Sequence, residues 1–199
     1  MSNFPPVLPD SFPKTHNPIL KRICRRCYFA LGWRIEGDLA DFSELSTAVI
    51  AIAPHTSNWD FMIGLLLKYT LEIKVTVMAK DSLFFWPLAP LLRYVGCFPV
   101  NRSAAGNYAE DAAERLRSSD KMMLVIAPEG TRSKVEQWKS GFARIAHAAD
   151  VPILPIGFDF GQKKIEFHPL VKTSGDLEAD IASVQNVLSQ HQGRHPEYS

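Results

Sequence analysis

A histidine and, five residues on, a carboxylate stand out in Ala51-Ile-Ala-Pro-His-Thr-Ser-Asn-Trp-Asp60. His55 is a candidate base and Asp60 a candidate orienter. A carboxylate that accepts one imidazole N–H fixes the tautomer and stabilises the imidazolium formed when the other nitrogen takes a proton. The stretch holds no nucleophile paired with this base, so the attacking hydroxyl would come from a substrate. On a regular helix, residues five apart are turned by about 140° and would not meet. They meet if His55 lies in the loop before a helix, one of Thr56, Ser57 and Asn58 caps it, and Asp60 swings back from the first turn. The plainer reading makes His55 a capping or packing histidine and Asp60 an anion at the positive helix end.

The elements around the pair give it a location. Ala48–Ala53 is short, β-branched and bounded by Pro54, which predicts a buried strand with His55 at its carboxyl end. Tyr94–Val100 is a second strand-like run, ending in Asn101-Arg102-Ser103. Met122–Ala127 is a third, ending in Pro128-Glu-Gly-Thr-Arg-Ser133. In that last loop Gly130 permits positive φ or a close backbone approach, and Arg132 offers a planar fork for phosphate. Thr131 and Ser133 add hydroxyl donors, while Glu129 can orient an arginine or accept from a substrate hydroxyl. If the three strands are neighbours, His55, Asp60, Arg102, Glu129 and Arg132 converge on one crevice at the carboxyl edge of an α/β sheet. A base beside phosphate-binding arginines and apolar walls suits a substrate with an anionic head, a free hydroxyl and an apolar tail.

Composition narrows the class. At 199 residues and 46% hydrophobic content the chain supports one buried core, and a net charge of +1 argues against a nucleic-acid partner. Three cysteines without a secretory signal at the start fit a reducing compartment. Cys24 and Cys27 form a lone C-x-x-C, read as apolar helix positions. Cys97, the candidate for a covalent acyl carrier, falls within a strand, and no G-x-S-x-G is present. His147, His168, His191 and His195 show no ligand-like spacing, so no metal is expected.

In chain order, residues 1–17 form a proline-rich arm, extended or partly disordered. Pro18 opens a helix to Gly32 whose apolar residues recur at helical spacing among Lys21, Arg22, Arg25 and Arg26. Such a basic amphipathic helix lies on an anionic membrane surface, or packs on the domain with a solvated basic face. The domain proper spans 33–192, with strands at Trp33–Glu36 and Ile73–Ala79, helices at Phe61–Leu71, Asn107–Ser118 and Leu177–Gln190, and an edge-like strand at Lys163–His168. Leu83–Leu92, aromatic and broken by two prolines, is too short to span a membrane. It reads first as core, otherwise as a pocket wall or a segment dipping into a bilayer surface. Residues 193–199 read as a frayed tail.

Four blocks of the chain also resemble a known family. His55-Thr-Ser-Asn-Trp-Asp60 is similar to the H-x-x-x-x-D box of the PlsC-type glycerolipid acyltransferases, and Phe98-Pro-Val-Asn-Arg102 to their second block. Glu129-Gly-Thr-Arg-Ser133 matches their E-G-T-R-S block, and Val151-Pro-Ile-Leu-Pro155 resembles the fourth, in the same order. Pro54 and Asn101 stand where members often have Asn and Asp. The resemblance implies a single-domain mixed, mostly parallel sheet flanked by helices, attached to the inner face of the cell membrane from the cytoplasm. It implies that His55, oriented by Asp60, deprotonates a lysophospholipid hydroxyl attacking the thioester of acyl-CoA or an acyl carrier protein. Arg102, Glu129, Gly130, Thr131 and Arg132 would hold the acceptor, and Val151, Pro152, Ile153, Leu154 and Pro155 would serve the acyl donor.

Overall fold

The computed structural model describes residues 8–37, 42–100 and 108–198. The long β-branched runs predicted as strands are central in it. β2 (Thr47–Ala53) is flanked by β5 (Met122–Ile126) and β6 (Ile153–Asp159), both parallel to it. A strand with helices on both faces must be apolar on both, which is why these runs are continuous rather than alternating. Beyond β5 follow β3 (Thr76–Lys80) and β4 (Cys97–Val100), also parallel.

On the other side, β7 (Lys164–Phe167) joins β6 antiparallel, and β1 (Arg34–Glu36) pairs parallel with β7. The seven-stranded order is therefore β1-β7-β6-β2-β5-β3-β4, mixed and mostly parallel as expected. Lys164–Phe167 alternates like an edge strand but is covered by β1, so the true edges are β1 and β4. The alternation has another cause: Ile165 and Phe167 enter the core, while Glu166 points to the opposite face.

One face is covered by α1 (Pro18–Ala30) and α2 (Asn58–Leu71), with Tyr28, Ile50, Ile63 and Ile156 in a shared core. The opposite face carries α4 (Tyr108–Arg117), α5 (Gly141–Ala149) and α6 (Leu177–Leu188), whose small residues Ala112, Ala113 and Ala146 let helices approach the sheet. The helix α5 has no counterpart in the reading of the sequence.

Three segments differ from expectation. Residues 8–17 of the arm are packed: Leu8 and Phe12 enter the core, and Lys74 N–H donates to Pro13 O at 2.7 Å. The aromatic run is core only in part: Leu92 is buried with Val95 and Cys97, and Phe84 and Leu88 pack against them. It forms a 3-10 turn and α3 (Leu88–Tyr94), leaving Phe85, Leu91 and Tyr94 exposed and Trp86 85% exposed. The end of the chain is docked rather than frayed, through contacts given below.

Helix α1 packs on the domain and keeps an outward face. Asn17 caps it by accepting from Leu20 N–H at 3.0 Å, with Pro18 in its first turn. Cys24 and Tyr28 are buried against the domain, while Ile19 and Ile23 face outward. Tyr28 is fully buried and its hydroxyl donates to Arg34 O at 3.0 Å, fastening the helix to β1. Tyr28→Phe should lower unfolding free energy by about 0.5–1.5 kcal/mol through the lost hydrogen bond. Tyr28→Ala should cost about 3–5 kcal/mol, as for other large-to-small core changes. Urea denaturation checks both, and unchanged midpoints would show that α1 is only laid on the surface.

Candidate active site

The β2–α2 loop carries the histidine and aspartate. Ser57 is the N-cap of α2: its hydroxyl accepts from Trp59 N–H at 3.2 Å, and its own N–H donates to Asp60 Oδ2 at 2.8 Å. This capping box holds Asp60 in the first turn, buried and turned back toward the loop. The same Oδ2 lies 2.9 Å from His55 Nδ1. The approach is oblique, an ion-pair contact rather than a straight hydrogen bond. It directs Nδ1 inward and leaves Nε2 as the nitrogen available to a substrate proton.

Glu129 closes the loop from the other side. Its Oε2 accepts the His55 backbone N–H at 2.8 Å, so this buried carboxylate positions the histidine's main chain. The register explains the meeting. Ala51 pairs with Ile126, and in neighbouring parallel strands the loops that follow leave the sheet at the same height. Gly130, next in the loop, has φ of 67° and donates its N–H to Ala127 O at 3.1 Å. A side chain there would be strained and would meet Lys139 at 2.8 Å. Thr131, Arg132 and Ser133 are exposed on the same loop.

The expected convergence holds for two of the three strand ends. β4, which leads to Arg102, stands three places from β2, about 14 Å across the sheet at typical strand spacing. Arg102 itself lies outside the described residues. The fourth block is not at the crevice. Ile153, Leu154 and Pro155 lie in β6 with their side chains buried, and Val151 and Pro152 lead into it. Cys97 is also buried, and desolvation pushes its thiol up, away from the thiolate a covalent route needs.

Two cavities flank the loop. One, about 100 Å³, runs under α2 from Asp60 past Gly64 to Lys68, with walls from Ile50, Val77 and Phe158. The other, about 140 Å³, lies beneath Gly130 and is lined by Lys139, Tyr108 and Phe142.

Several participants left no signal in the sequence. Arg194 stacks over the Trp59 ring at 4.8 Å, and His195 N–H donates to Thr56 Oγ1 at 3.2 Å, so the chain's end braces the start of α2. Neither pairing follows from local pattern or spacing.

The profile of the Acyltransferase family matches residues 35–159, a span that includes His55, Asp60, Glu129 and Arg132. The chain belongs to the Acyltransferase family. Among curated relatives, it is 25% identical over 152 residues to a probable 1-acyl-sn-glycerol-3-phosphate acyltransferase of Mycoplasma genitalium, covering 71% of this chain and 55% of the relative. It thus spans about half the length of that acyltransferase. The crystal structure of the 1-acyl-sn-glycerophosphate (LPA) acyltransferase PlsC from Thermotoga maritima superposes with a TM-score of 0.65 at 19% identity, covering 86% of this chain and 76% of that one. This likeness establishes the shared α/β acyltransferase fold.

The environment of Glu129 has a consequence for stability. Desolvation raises its pKa above the ordinary glutamate value of 4.5, outweighing the opposing pull of the His55 N–H and ring. The folded state therefore holds this proton more tightly than the unfolded state does, and stability from this group falls as pH rises from about 4.5 through the raised folded value. Glu129→Gln keeps an acceptor oxygen for His55 and removes the ionisation. Urea midpoints between pH 4 and 7 should decline less steeply for the variant, and identical slopes would refute the assignment.

Proposed function

We propose that the protein is an O-acyltransferase that moves a fatty acyl group from a thioester, acyl-CoA or acyl carrier protein, to the hydroxyl of a lysophospholipid, 1-acylglycerol-3-phosphate foremost, in phospholipid biosynthesis. The observation that carries this is the 2.9 Å approach of His55 Nδ1 to buried Asp60 Oδ2 at a strand's carboxyl end. His55 Nε2 takes the acceptor hydroxyl's proton as the oxygen attacks the thioester carbonyl. The C–O bond forms, the C–S bond breaks, and the imidazolium returns its proton to the departing sulfur.

The relative from Mycoplasma genitalium, named as a probable 1-acyl-sn-glycerol-3-phosphate acyltransferase, supports the acceptor class. Arg132, with its planar fork on the exposed loop after Glu129, and Lys139, lining the cavity at Gly130, are the cations offered to an anionic headgroup. The cavity under α2 suits the acyl chain. Along α2 it is lined from Asp60 to Leu71, eleven residues and about 16 Å of helical rise.

Recruitment to a membrane surface has its own support. Ile19 and Ile23 of α1 face outward beside Arg22 and Arg26, and Phe85 and Trp86 are exposed on the segment following β3. No helix among the described residues is long and apolar enough to cross a membrane. The protein would sit peripherally, on the cytoplasmic face.

Thiol release from a panel of acyl-CoAs, with lysophosphatidic acid set against neutral and zwitterionic lysolipids, tests the reaction. His55→Ala should reduce turnover on the order of a hundredfold or more while the fold persists. Near-native turnover in the folded variant would refute the base assignment. Chain length tests the cavity. A Cβ at Gly64 meets Phe158 only at 3.6 Å, so Gly64→Leu has room to start and fills the space beyond. It should shift preference several-fold toward shorter acyl donors; an unchanged chain-length profile would place the acyl chain elsewhere.

A further inference from the structure

β7 presents Glu166 and, just past its end, His168 on the sheet face opposite Ile165 and Phe167, where they meet a residue from the far end of the chain. After α6 the chain folds back so that His191, 6% exposed, lies against β6. Gly157 admits the ring: a Cβ there would sit 2.0 Å from His191 Nε2. The Nε2 atoms of His168 and His191 are 2.8 Å apart, and ligand atoms of Glu166, His168 and His191 all lie within 4.8 Å of one another. The Nδ1 of His191 makes no hydrogen bond and lies 3.8 Å from buried Asp159 Oδ2.

We propose that Glu166, His168 and His191 form a divalent-cation site with zinc-like preference, which fastens the C-terminal segment to the sheet. Two imidazole nitrogens and one carboxylate are a ligand set for Zn²⁺ rather than for Mg²⁺ or Ca²⁺. The geometry is close to what the metal needs. With metal–nitrogen bonds of about 2.0–2.1 Å, tetrahedral coordination spaces two nitrogens by about 3.3 Å, a modest parting from their present separation. Asp159 stands where a carboxylate takes the other N–H of a ligating histidine and orients its ring. Lys164 Nζ, 2.6 Å from Glu166 Oε2 and 3.1 Å from Glu36 Oε2, holds the carboxylate by one oxygen and leaves the other for the metal. Burial lowers the pKa of both histidines, consistent with neutral rings.

The site would act on structure rather than chemistry. From His191 the chain runs through Gln192, whose carbonyl accepts from Phe160 N–H at 2.8 Å, to Arg194 and His195 at the start of α2. The three ligands lie outside the matched residues 35–159, so the proposal does not depend on acyl transfer.

Zn²⁺ alone, titrated calorimetrically into chelator-stripped full-length protein, should bind at one equivalent and raise Tm reversibly. His168→Ala and His191→Ala should each weaken binding at least tenfold, and His147→Ala should leave it unchanged. Because His191→Ala could unfold the segment, Asp159→Asn and Glu166→Gln provide milder tests, each expected to weaken binding about 10- to 100-fold. Co²⁺ in place of Zn²⁺ should give the visible absorption of tetrahedral coordination. Absence of stoichiometric binding, or binding that every ligand variant leaves intact, would reduce the cluster to a hydrogen-bonded histidine pair.

Discussion

A helix must satisfy the N–H groups its first turn leaves free, and here that requirement also shapes the candidate catalytic pair. Asp60 Oδ2 accepts the Ser57 N–H at 2.8 Å and faces His55 Nδ1 at 2.9 Å, so one oxygen serves the cap and the base. The cap holds the carboxylate in place before any substrate arrives. Moving Asp60 by one residue along the helix would turn it by about 100° and lose both contacts.

The sheet supplies the second constraint. In-register pairing of β2 with β5 brings Glu129 to the His55 main chain, so two buried carboxylates from different loops hold one histidine. They do so in different ways. Asp60 addresses the ring, whereas Glu129 addresses the backbone and resists ionisation through burial and the neighbouring Asp60 charge. A histidine held at both ring and main chain has little freedom to rotate.

The parts of this arrangement that depend on local chemistry were readable from residues alone. Ala48–Ala53 read as a strand because it is β-branched and stops at a proline, and β2 occupies that span with one residue more. A cap at Thr56, Ser57 or Asn58 and the inward swing of Asp60 followed from residue types and spacing, and Ser57 is the one that caps. What escaped was set at long range. Burial of Leu8 and Phe12, docking of His195 at Thr56, and the meeting of His168 with His191 join residues far apart in the chain with no periodic signature. Glu129 was read as a residue to orient an arginine or accept from a substrate hydroxyl, and its bond to the His55 main chain went unforeseen because only the sheet order shows that its loop neighbours His55. The aromatic run misled for another reason: apolar composition predicts burial in general, while Trp86 and Phe85 are held outward on a proline-bounded turn.

A buried lysine on the wall of the cavity under α2 shows how a charge is held beside an apolar space. Lys68 Nζ donates to Val95 O at 2.6 Å and lies 5.2 Å from the Tyr69 ring centre, its pKa lowered by desolvation. Among the described residues no carboxylate pairs with it. A cation under a helix costs free energy unless its donors are satisfied, and one carbonyl with a ring face is a sparse set. Lys68 and Asp60 are the charged residues of the cavity wall, about two turns apart on α2 among apolar side chains. Two charged residues eight positions apart on one helix stand about 12 Å apart along its axis, so α2 lays an apolar stretch of wall between two fixed charges.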